Sequence, residues 1–126
     1  MKKKFSKAWI RSTQVRKQRK YRKNAPLHIA RKFLRSLLSQ ELRKKYNHRN
    51  LAVRKGDTVK VLRGEFKGKT GKVERVSIVY RKVYLDSISR TKKDGNKVAV
   101  AFDASKLMIT ALEIDDKRRK AILERK

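Results

Sequence analysis

Residues 64–70 of the chain, GEFKGKT, combine glycines, lysines and a threonine, the residue types that cradle phosphate groups in nucleotide-binding loops. Such a P-loop needs four residues between its two glycines and leads from a strand into a helix. Here three residues separate the glycines, and the chain from Lys72 onward alternates like a strand. The spacing therefore argues against a P-loop and predicts a glycine-rich hairpin loop that presents Lys67 and Lys69.

No other group of residues has the spacing of a metal site or a catalytic site. His28 and His48 lie twenty residues apart with one acid, Glu41, between them, and the chain contains no cysteine. A metal site needs several converging ligands, and the thiolates and carboxylates that could complete one are missing. Asp57 and Asp94 adjoin turn glycines, Asp115 and Asp116 resemble a helix cap, no carboxylate pair has catalytic spacing, and no serine lies in a nucleophile elbow. We therefore predict no enzyme, no metal and no cofactor, and we expect both histidines to lie at the surface or to face RNA.

The excess of cations is the most informative chemistry in the chain. Its 126 residues include 39 Lys and Arg against 11 Asp and Glu, a formal net charge of +28. Because like charges repel in a compact chain, a polyanion is the expected partner, nucleic acid first and an anionic membrane surface second. The length fits one domain. No apolar run approaches the ~18 residues of a membrane span, so we expect a soluble intracellular protein.

The cations concentrate at the N-terminus. Residues 1–50 hold 18 Lys and Arg and a single acid, and residues 1–23 hold 11 with no acid. So polar a segment cannot bury enough apolar surface to order itself, and we predict a tail that is disordered alone in water. Phe5, Trp9 and Tyr21 interrupt the basic run. Either the tail stays solvated or it orders against nucleic acid, with cations on phosphates and rings on bases, and the lack of acids favours the second.

Residues 24–50 have a helical period, which predicts two short helices. Asn24 can cap the first helix, with Pro26 in its first turn, and Ser39 can cap the second. The apolar residues of the first helix recur at three-to-four spacing: Leu27, Ala30, Phe33, Leu34, Leu37 and Leu38. A stripe of this kind is typical of core packing, so we expect the helical segment to pack on the middle of the chain.

Residues 51–112 change to a period of two, which is typical of half-buried strands. Alternating apolar runs lie at 59–61, 76–80, 83–85, 98–102 and 107–111, separated by turn signals at 55–57, 64–71 and 93–96. Val73 is out of phase with Val76, which predicts a bulge near Glu74 and Arg75. We predict a mainly β fold, a small barrel of five antiparallel strands that buries its edges by closing.

Residues 113–126 begin with acids and continue into bases, the order that complements a helix dipole. Asp115 and Asp116 have the position of a helix cap. The segment offers little apolar face, so the predicted C-terminal helix should be marginal unless it docks. The predicted organisation is an extended basic tail over 1–23, a helical segment over 24–50, a barrel over 51–112 and a C-terminal helix over 113–126.

Two runs in the predicted barrel resemble a KOW motif, GDTVKVLRG at 56–64 and KGKTGKV at 67–73. Ribosomal proteins and NusG-type transcription elongation factors both carry this motif. Three flanking runs are similar to one family, the universal large-subunit ribosomal protein twenty-four in its archaeal and eukaryotic form: LSQELR at 38–43, SKLMIT at 105–110 and DKRRKAILERK at 116–126. The resemblance covers roughly residues 25–126, and the tail matches only in being basic. The family often has a proline where this chain has Leu37, which predicts a softer break between the two helices.

The resemblance implies an SH3-like barrel and a protein bound to the 5′ domain of large-subunit rRNA, near the exit of the peptide tunnel, that acts early in subunit assembly. It also implies a monomer within the cytoplasmic ribosome, with neighbouring large-subunit proteins and possible exit-site targeting factors as further partners. The glycines of the motif are expected to be structural: Gly56, Gly64, Gly68 and Gly71.

The rRNA contacts predicted in the tail rest on its basic run and interleaved rings, and the resemblance adds only to those predicted beyond the tail. In the tail they are Lys2, Lys3, Lys4, Lys7, Trp9, Arg11, Arg16, Lys17, Arg19, Lys20, Tyr21, Arg22 and Lys23. Beyond the tail they are Arg31, Lys32, Arg54, Lys55, Arg63, Lys67 and Lys69.

Two other functions fit less well. A NusG-type elongation factor needs a separate folded domain before its KOW barrel, and the 50 residues available here, at +17, are too few and too basic for one. A nonspecific nucleic-acid-binding protein explains the charge but not the flanking runs.

Overall fold

Seven strands form most of the folded part of the molecule. The computed structural model describes residue 5 and residues 11–125. The strands are β1 (Arg35–Leu38), β2 (Asn50–Ala52), β3 (Thr58–Val61), β4 (Thr70–Ser77), β5 (Lys82–Thr91), β6 (Lys97–Asp103) and β7 (Leu107–Ala111). They lie in one sheet in the order β2-β1-β7-β3-β4-β5-β6. Neighbouring strands are antiparallel except β1 and β7, which are parallel.

The apolar alternation read from the sequence forms the core. Val59 and Val61 of β3 and Leu107 and Ile109 of β7 are completely buried, while Lys60 between the two valines faces solvent. This pattern arises because successive side chains of a strand point to opposite faces. Each of the other strands adds at least one buried apolar side chain. Strands therefore form in all five predicted regions of 51–112, but the second lies at 70–77 and not at 76–80, and β2 adds a strand that was not predicted.

The predicted bulge in β4 is also confirmed. The pairing of β4 with β5 shifts register between Val73 and Arg75. Val73 is buried in the core with Val83 and Leu85 of β5. In an unbroken strand, Val73 and Val76 would point to opposite faces of the sheet. The extra residue turns Val73 inward and bends the strand.

The sheet is open, so the predicted closed five-stranded barrel is wrong. β1 and β2 extend the sheet beyond β7, and β2 and β6 form its two ends. β1 (residues 35–38) pairs with both β2 and β7. It therefore occupies the edge of β7 through which a barrel of five strands would close. The SH3-like character of the remaining five strands stays a prediction.

The first predicted helix is shorter than expected. Its helical part, α2 (Leu27–Ala30), continues as a 3₁₀ turn (Arg31–Leu34) and then gives way to β1. Leu37 and Leu38 were expected on the helix but belong to the strand. The break before the second helix is therefore four residues of β structure and not a soft helical junction, because this segment finds main-chain partners in two neighbouring strands.

The second predicted helix is confirmed as α3 (Gln40–Tyr46). The Ser39 side chain accepts a hydrogen bond from the Leu42 amide at 3.4 Å, the predicted cap. Asn47 ends the helix in the left-handed region, with φ of 54°.

The predicted tail is helical over its second half. Helix α1 (Val15–Asn24) occupies this part of residues 1–23, so the expectation of an extended segment is wrong there. Asn24 consequently ends α1 and does not cap α2, whose N-cap position is Pro26. No residue of α1 is buried, and contacts of Tyr21 and Arg22 anchor the helix near its C-terminal end.

The predicted C-terminal helix is confirmed as α4 (Lys117–Glu124), and it docks. The Asp116 side chain caps it by accepting from the Arg118 amide at 2.8 Å. Arg119 and Leu123 are buried against the sheet. Within residues 11–125, no helix is long and apolar enough to cross a membrane.

Candidate nucleic-acid interface

The glycine-rich loop over 62–69 joins the antiparallel strands β3 and β4. The Gly68 amide donates to the Val61 carbonyl at 2.8 Å, and the Lys67 amide donates to the Gly64 carbonyl at 3.0 Å. Gly64 and Gly68 have φ of 101° and 87°, values that strain any residue with a Cβ. Because the loop leads into a strand and not a helix, it has the predicted hairpin geometry and lacks that of a P-loop.

Two cations of this loop are presented to solvent. Lys67 is exposed, and so is Lys69, whose ammonium lies 5.2 Å from the centre of the Phe66 ring. Phe66 in turn packs edge-on against the buried Phe102, with ring centres 6.0 Å apart. This chain of contacts links the base of the loop to the core, so the cations project from a fixed support.

Gly71 and Gly56, the other two glycines of the motif, allow neighbouring segments to approach the backbone closely. A Cβ at Gly71 would collide with Oγ of Ser87 on β5, and that hydroxyl donates to the Thr70 carbonyl at 3.1 Å. A Cβ at Gly56 would lie 3.2 Å from Cγ of Glu113. The structural role predicted for both glycines fits this geometry, because neighbouring segments already fill the space beside them.

Helix α1 carries the densest group of cations in the described chain. All six are exposed: Arg16, Lys17, Arg19, Lys20, Arg22 and Lys23. The helix is held by Tyr21, whose ring contacts Phe33 edge-on at 6.1 Å and Phe5 at 4.9 Å between ring centres. A guanidinium nitrogen of Arg81 also donates to the Arg22 carbonyl at 2.7 Å. Tyr21 is therefore half-buried in contacts within the chain, and its predicted stacking on bases stays a prediction.

Three predicted cations surround one apolar cleft of about 460 Å³. Arg31, Arg54 and Lys55 line it together with apolar residues of α2, β2 and β4. Arg54 also forms an ion pair with Asp116. The Arg118 amide and the Arg54 guanidinium both hydrogen-bond that carboxylate and lower the pKa of Asp116 below its usual value.

The remaining predicted contacts lie apart from these groups. Arg11, Lys32 and Arg63 are exposed. The other predicted tail contacts lie outside the described residues: Lys2, Lys3, Lys4, Lys7 and Trp9.

The two histidines do not approach a metal-binding arrangement. His28 is exposed as predicted, whereas His48 is half-buried after α3 and only partly at the surface. Within residues 11–125 and residue 5, there is no cluster of three or more histidine, cysteine, aspartate or glutamate side chains that could hold a metal.

One exposed surface, at the turn between β4 and β5, has no counterpart among the predicted contacts. Tyr80 was expected on an alternating strand, but residues 78–81 form the turn between β4 and β5 and leave Tyr80 73% exposed. Arg81, the next residue, has φ of 56°. The signal in the sequence was an aromatic residue followed directly by two cations, Arg81 and Lys82, which is typical of nucleic-acid contacts as well as of strands.

Comparison with known proteins decides the family. The family of ribosomal proteins described as L26 in eukaryotes, together with the archaeal L24 proteins, matches residues 12–126. The chain belongs to this family. The match begins before α1, so the family covers more of the chain than the residues 25–126 predicted from the motifs.

Two archaeal relatives are similar over nearly their whole length. "Large ribosomal subunit protein uL24" of Methanosarcina barkeri is 46% identical over 114 residues, which span 90% of this chain and 98% of the relative. The protein of the same name from Methanocorpusculum labreanum is 50% identical over 117 residues, spanning 93% of this chain and 97% of the relative.

Family membership confirms the predicted resemblance and the prediction that the chain is a structural protein and not an enzyme. It also disfavours a NusG-type factor. Residues 27–52 contribute two strands to the same sheet as the KOW residues. A NusG-type elongation factor would instead need a separate folded domain before its KOW barrel.

Proposed function

We propose that this protein is a structural constituent of the large ribosomal subunit in the cytoplasm. The observation that carries the proposal is the similarity of almost the whole chain to two relatives whose names place them in that subunit. The net charge of +28 supports it, because a large polyanion such as rRNA offsets so many cations on a small protein.

The finer proposal is that the chain binds the 5′ domain of large-subunit rRNA near the tunnel exit and assists early subunit assembly. Residues 1–23, including most of α1, act as an rRNA-binding segment, and the sheet with its glycine-rich loop fixes the register of the contact. Lys and Arg neutralise phosphates and release counterions, which supplies affinity, while the shape of the folded surface supplies position. Neighbouring ribosomal proteins, and possible targeting factors at the exit site, are its protein partners, and it is a monomer in the subunit.

Three groups of cations support the separate roles proposed for the N-terminal segment and for the sheet with its glycine-rich loop. The first is the exposed face of α1, the second is the loop bearing Lys67 and Lys69, and the third surrounds the cleft lined by Arg31 and Lys55. They belong to different elements of one sheet-based fold, so an RNA that contacts all three must have a matching shape.

The proposal is tested by binding of the full chain to RNA transcripts. We expect tighter binding to a transcript of the 5′ domain than to a transcript of equal length from another rRNA domain, at salt concentrations that suppress nonspecific contacts. Co-sedimentation with the large subunit in a sucrose gradient is the second measurement. Equal affinity for both transcripts would contradict the assignment to the 5′ domain, and absence from the large-subunit peak would contradict the ribosomal assignment itself.

A further inference from the structure

A polar cleft of about 510 Å³ lies between α1, the 3₁₀ turn after α2 and the turn that joins β4 to β5. Among the residues that line it are Arg22, Phe33, Tyr80, Arg81, Lys82 and Asp103. Its volume is within the ~300–1,000 Å³ range of small-ligand sites. None of these residues except Arg22 was expected to contact RNA.

The Tyr80 ring is exposed but held on a fixed turn. Tyr80 is 73% exposed, and its amide donates to the Ser77 hydroxyl at 3.4 Å. Arg81 adopts the left-handed region, an unfavourable conformation for a residue with a side chain. The hydrogen bond from Arg81 to the Arg22 carbonyl at 2.7 Å ties this turn to the end of α1. The ring is therefore presented to solvent in a defined place.

The charges at the cleft are mainly positive. Arg22, Arg81 and Lys82 contribute three cations, and Asp103 contributes the one acid among the lining residues. The Asp103 carboxylate is already engaged by Lys82 at 2.5 Å and by Lys106 at 3.6 Å. The cationic face of α1 leads directly to this cleft through Arg22. A phosphate is therefore attracted to the cleft and to the helix beside it.

We propose that this cleft binds one unpaired nucleotide of the RNA, with its base stacked on Tyr80 and its phosphate beside Arg22 and Arg81. Proteins that bind single-stranded RNA combine a cationic surface that follows the backbone with exposed aromatic rings that stack on bases, and α1 and Tyr80 have these two roles here. Tyrosine and arginine are also common in protein interfaces, but the polar, cationic lining of the cleft suits a nucleotide better than an apolar side chain. The proposal rests on the RNA-binding function proposed above.

Three full-length variants test the stacking. Tyr80→Ala removes the ring, Tyr80→Phe keeps it, and Val79→Ala is the matched control, because Val79 is the preceding turn residue and is equally exposed at 73%. Loss of one base–aromatic stack should weaken binding to the 5′-domain transcript about 5- to 150-fold in Tyr80→Ala. We expect Tyr80→Phe and Val79→Ala to bind like the unsubstituted chain, with the melting temperature of all three unchanged. Equal affinity of Tyr80→Ala and Val79→Ala would overturn the proposal.

The salt dependence separates stacking from charge. Tyr80→Ala should leave the slope of log K against log salt unchanged, whereas Arg22→Gln should reduce it by about 0.7–0.9, the effect of one lost phosphate contact. A reduced slope in Tyr80→Ala would show that the substitution disturbs the cationic surface, and would overturn the stacking role.

Ultraviolet crosslinking tests the contact at Tyr80 without assuming which rRNA domain the protein binds. A short single-stranded oligouridine should crosslink to the peptide that contains Tyr80, as read by mass spectrometry, and a duplex of the same length should not. A crosslink to oligouridine would support the nucleotide site even if the protein showed no preference for the 5′-domain transcript. Failure of this site and failure of the proposed function are therefore distinguishable. No crosslink at Tyr80, or a Tyr80→Ala variant that loses a neighbouring ribosomal protein while keeping its RNA affinity, would overturn the proposal in favour of a protein contact.

Discussion

At the scale of single residues, the carboxylate of Asp57 accepts four hydrogen bonds. Asp57 is completely buried, and its carboxylate accepts two hydrogen bonds at 2.7 Å from the guanidinium of Arg119, which is 4% exposed. It also accepts from the Arg54 amide at 2.8 Å and the Glu113 amide at 3.1 Å. Arg119 donates further to the Glu113 carbonyl at 2.7 Å. This pair joins α4 to the start of β3 and fixes the C-terminal helix.

Replacing Asp57 should therefore destabilise the protein strongly. Asp57→Ala leaves the buried Arg119 charge without its partner, and loss of one member of a buried pair costs about 3–5 kcal/mol of unfolding free energy. The control on the same helix is Glu124→Gln, which removes an exposed pair with Lys120 at 4.0 Å and should cost about 0.5 kcal/mol or less. Urea denaturation measures both. A cost for Asp57→Ala within about 1 kcal/mol of the control's would contradict the structural role.

Gly64 provides a second test at the residue scale. Its φ is 101° and a Cβ there would meet nothing within 4 Å, so any cost of substitution comes from backbone strain and not from a clash. Gly64→Val should lower the unfolding free energy by about 1–3 kcal/mol and weaken RNA binding at the same time. Lys67→Ala, in the same loop, is the control and should weaken binding without changing the melting temperature. Loss of binding in Gly64→Val with an unchanged melting temperature would show that the glycine has another role.

At the scale of secondary-structure elements, α1 depends on few contacts. It has ten residues, none of them buried, and six cations without an acid. Isolated helices shorter than ~12–15 residues are marginal in water, and like charges on neighbouring turns weaken this one further. The contacts of the Tyr21 ring with Phe33 and Phe5 and the hydrogen bond from Arg81 therefore help to hold it on the fold.

Tyr21→Ala should detach α1 without unfolding the sheet. We expect the amides of residues 15–24 to lose their protection against hydrogen exchange, while the amides of β3 and β7 keep theirs. Val15→Ala, at the other end of the helix and 58% exposed, is the control and should leave protection unchanged or slightly higher, because alanine favours helix. Equal protection of α1 in Tyr21→Ala and the unsubstituted chain would show that the ring contacts do not hold the helix.

At the scale of the whole molecule, charge is divided between an N-terminal segment and the sheet. Residues 1–23 hold 11 of the 39 cations and no acid, whereas every acid from Asp57 onward belongs to the sheet, its loops or the C-terminal segment with α4. Phosphate contacts are therefore expected to be densest at the N-terminus, and most of the shape that fixes register is expected in the remainder.

Deleting residues 1–23 should flatten the salt dependence of RNA binding. If about half of the 11 cations contact phosphate, the slope of log K against log salt falls by about 4, since each contact contributes about 0.7–0.9. The preference for 5′-domain RNA should persist. The control is a triple substitution of Lys92, Lys93 and Lys97 by glutamine on the hairpin of β5 and β6, where no contact is assigned. An unchanged slope after the deletion, or loss of RNA preference with nonspecific affinity intact, would reverse the assigned roles.

The sequence alone determined the features that depend on neighbouring residues. Strands in five regions of 51–112, the bulge after Val73, the glycine-rich turn and the caps at Ser39 and Asp116 follow from patterns within a few positions, although the second strand lies at 70–77 and not at 76–80. Side-chain alternation, left-handed glycines and helix capping are local properties of the backbone, so a short segment contains the whole signal. The net charge is a property of composition and needs no structure.

Only the tertiary structure decided the features that join distant segments. Residues 35–38 have a helical apolar period, yet they form β1 because β2 and the distant β7 both offer a strand to pair with. Asp57 pairs with Arg119, 62 residues away, and nothing in the spacing of either residue indicates the other. The Tyr80 cleft likewise requires α1 and the turn between β4 and β5 to meet. In each case the stabilising contacts exist only after the chain has folded, because hydrogen-bond partners and buried charges are chosen by position in space and not by position in sequence.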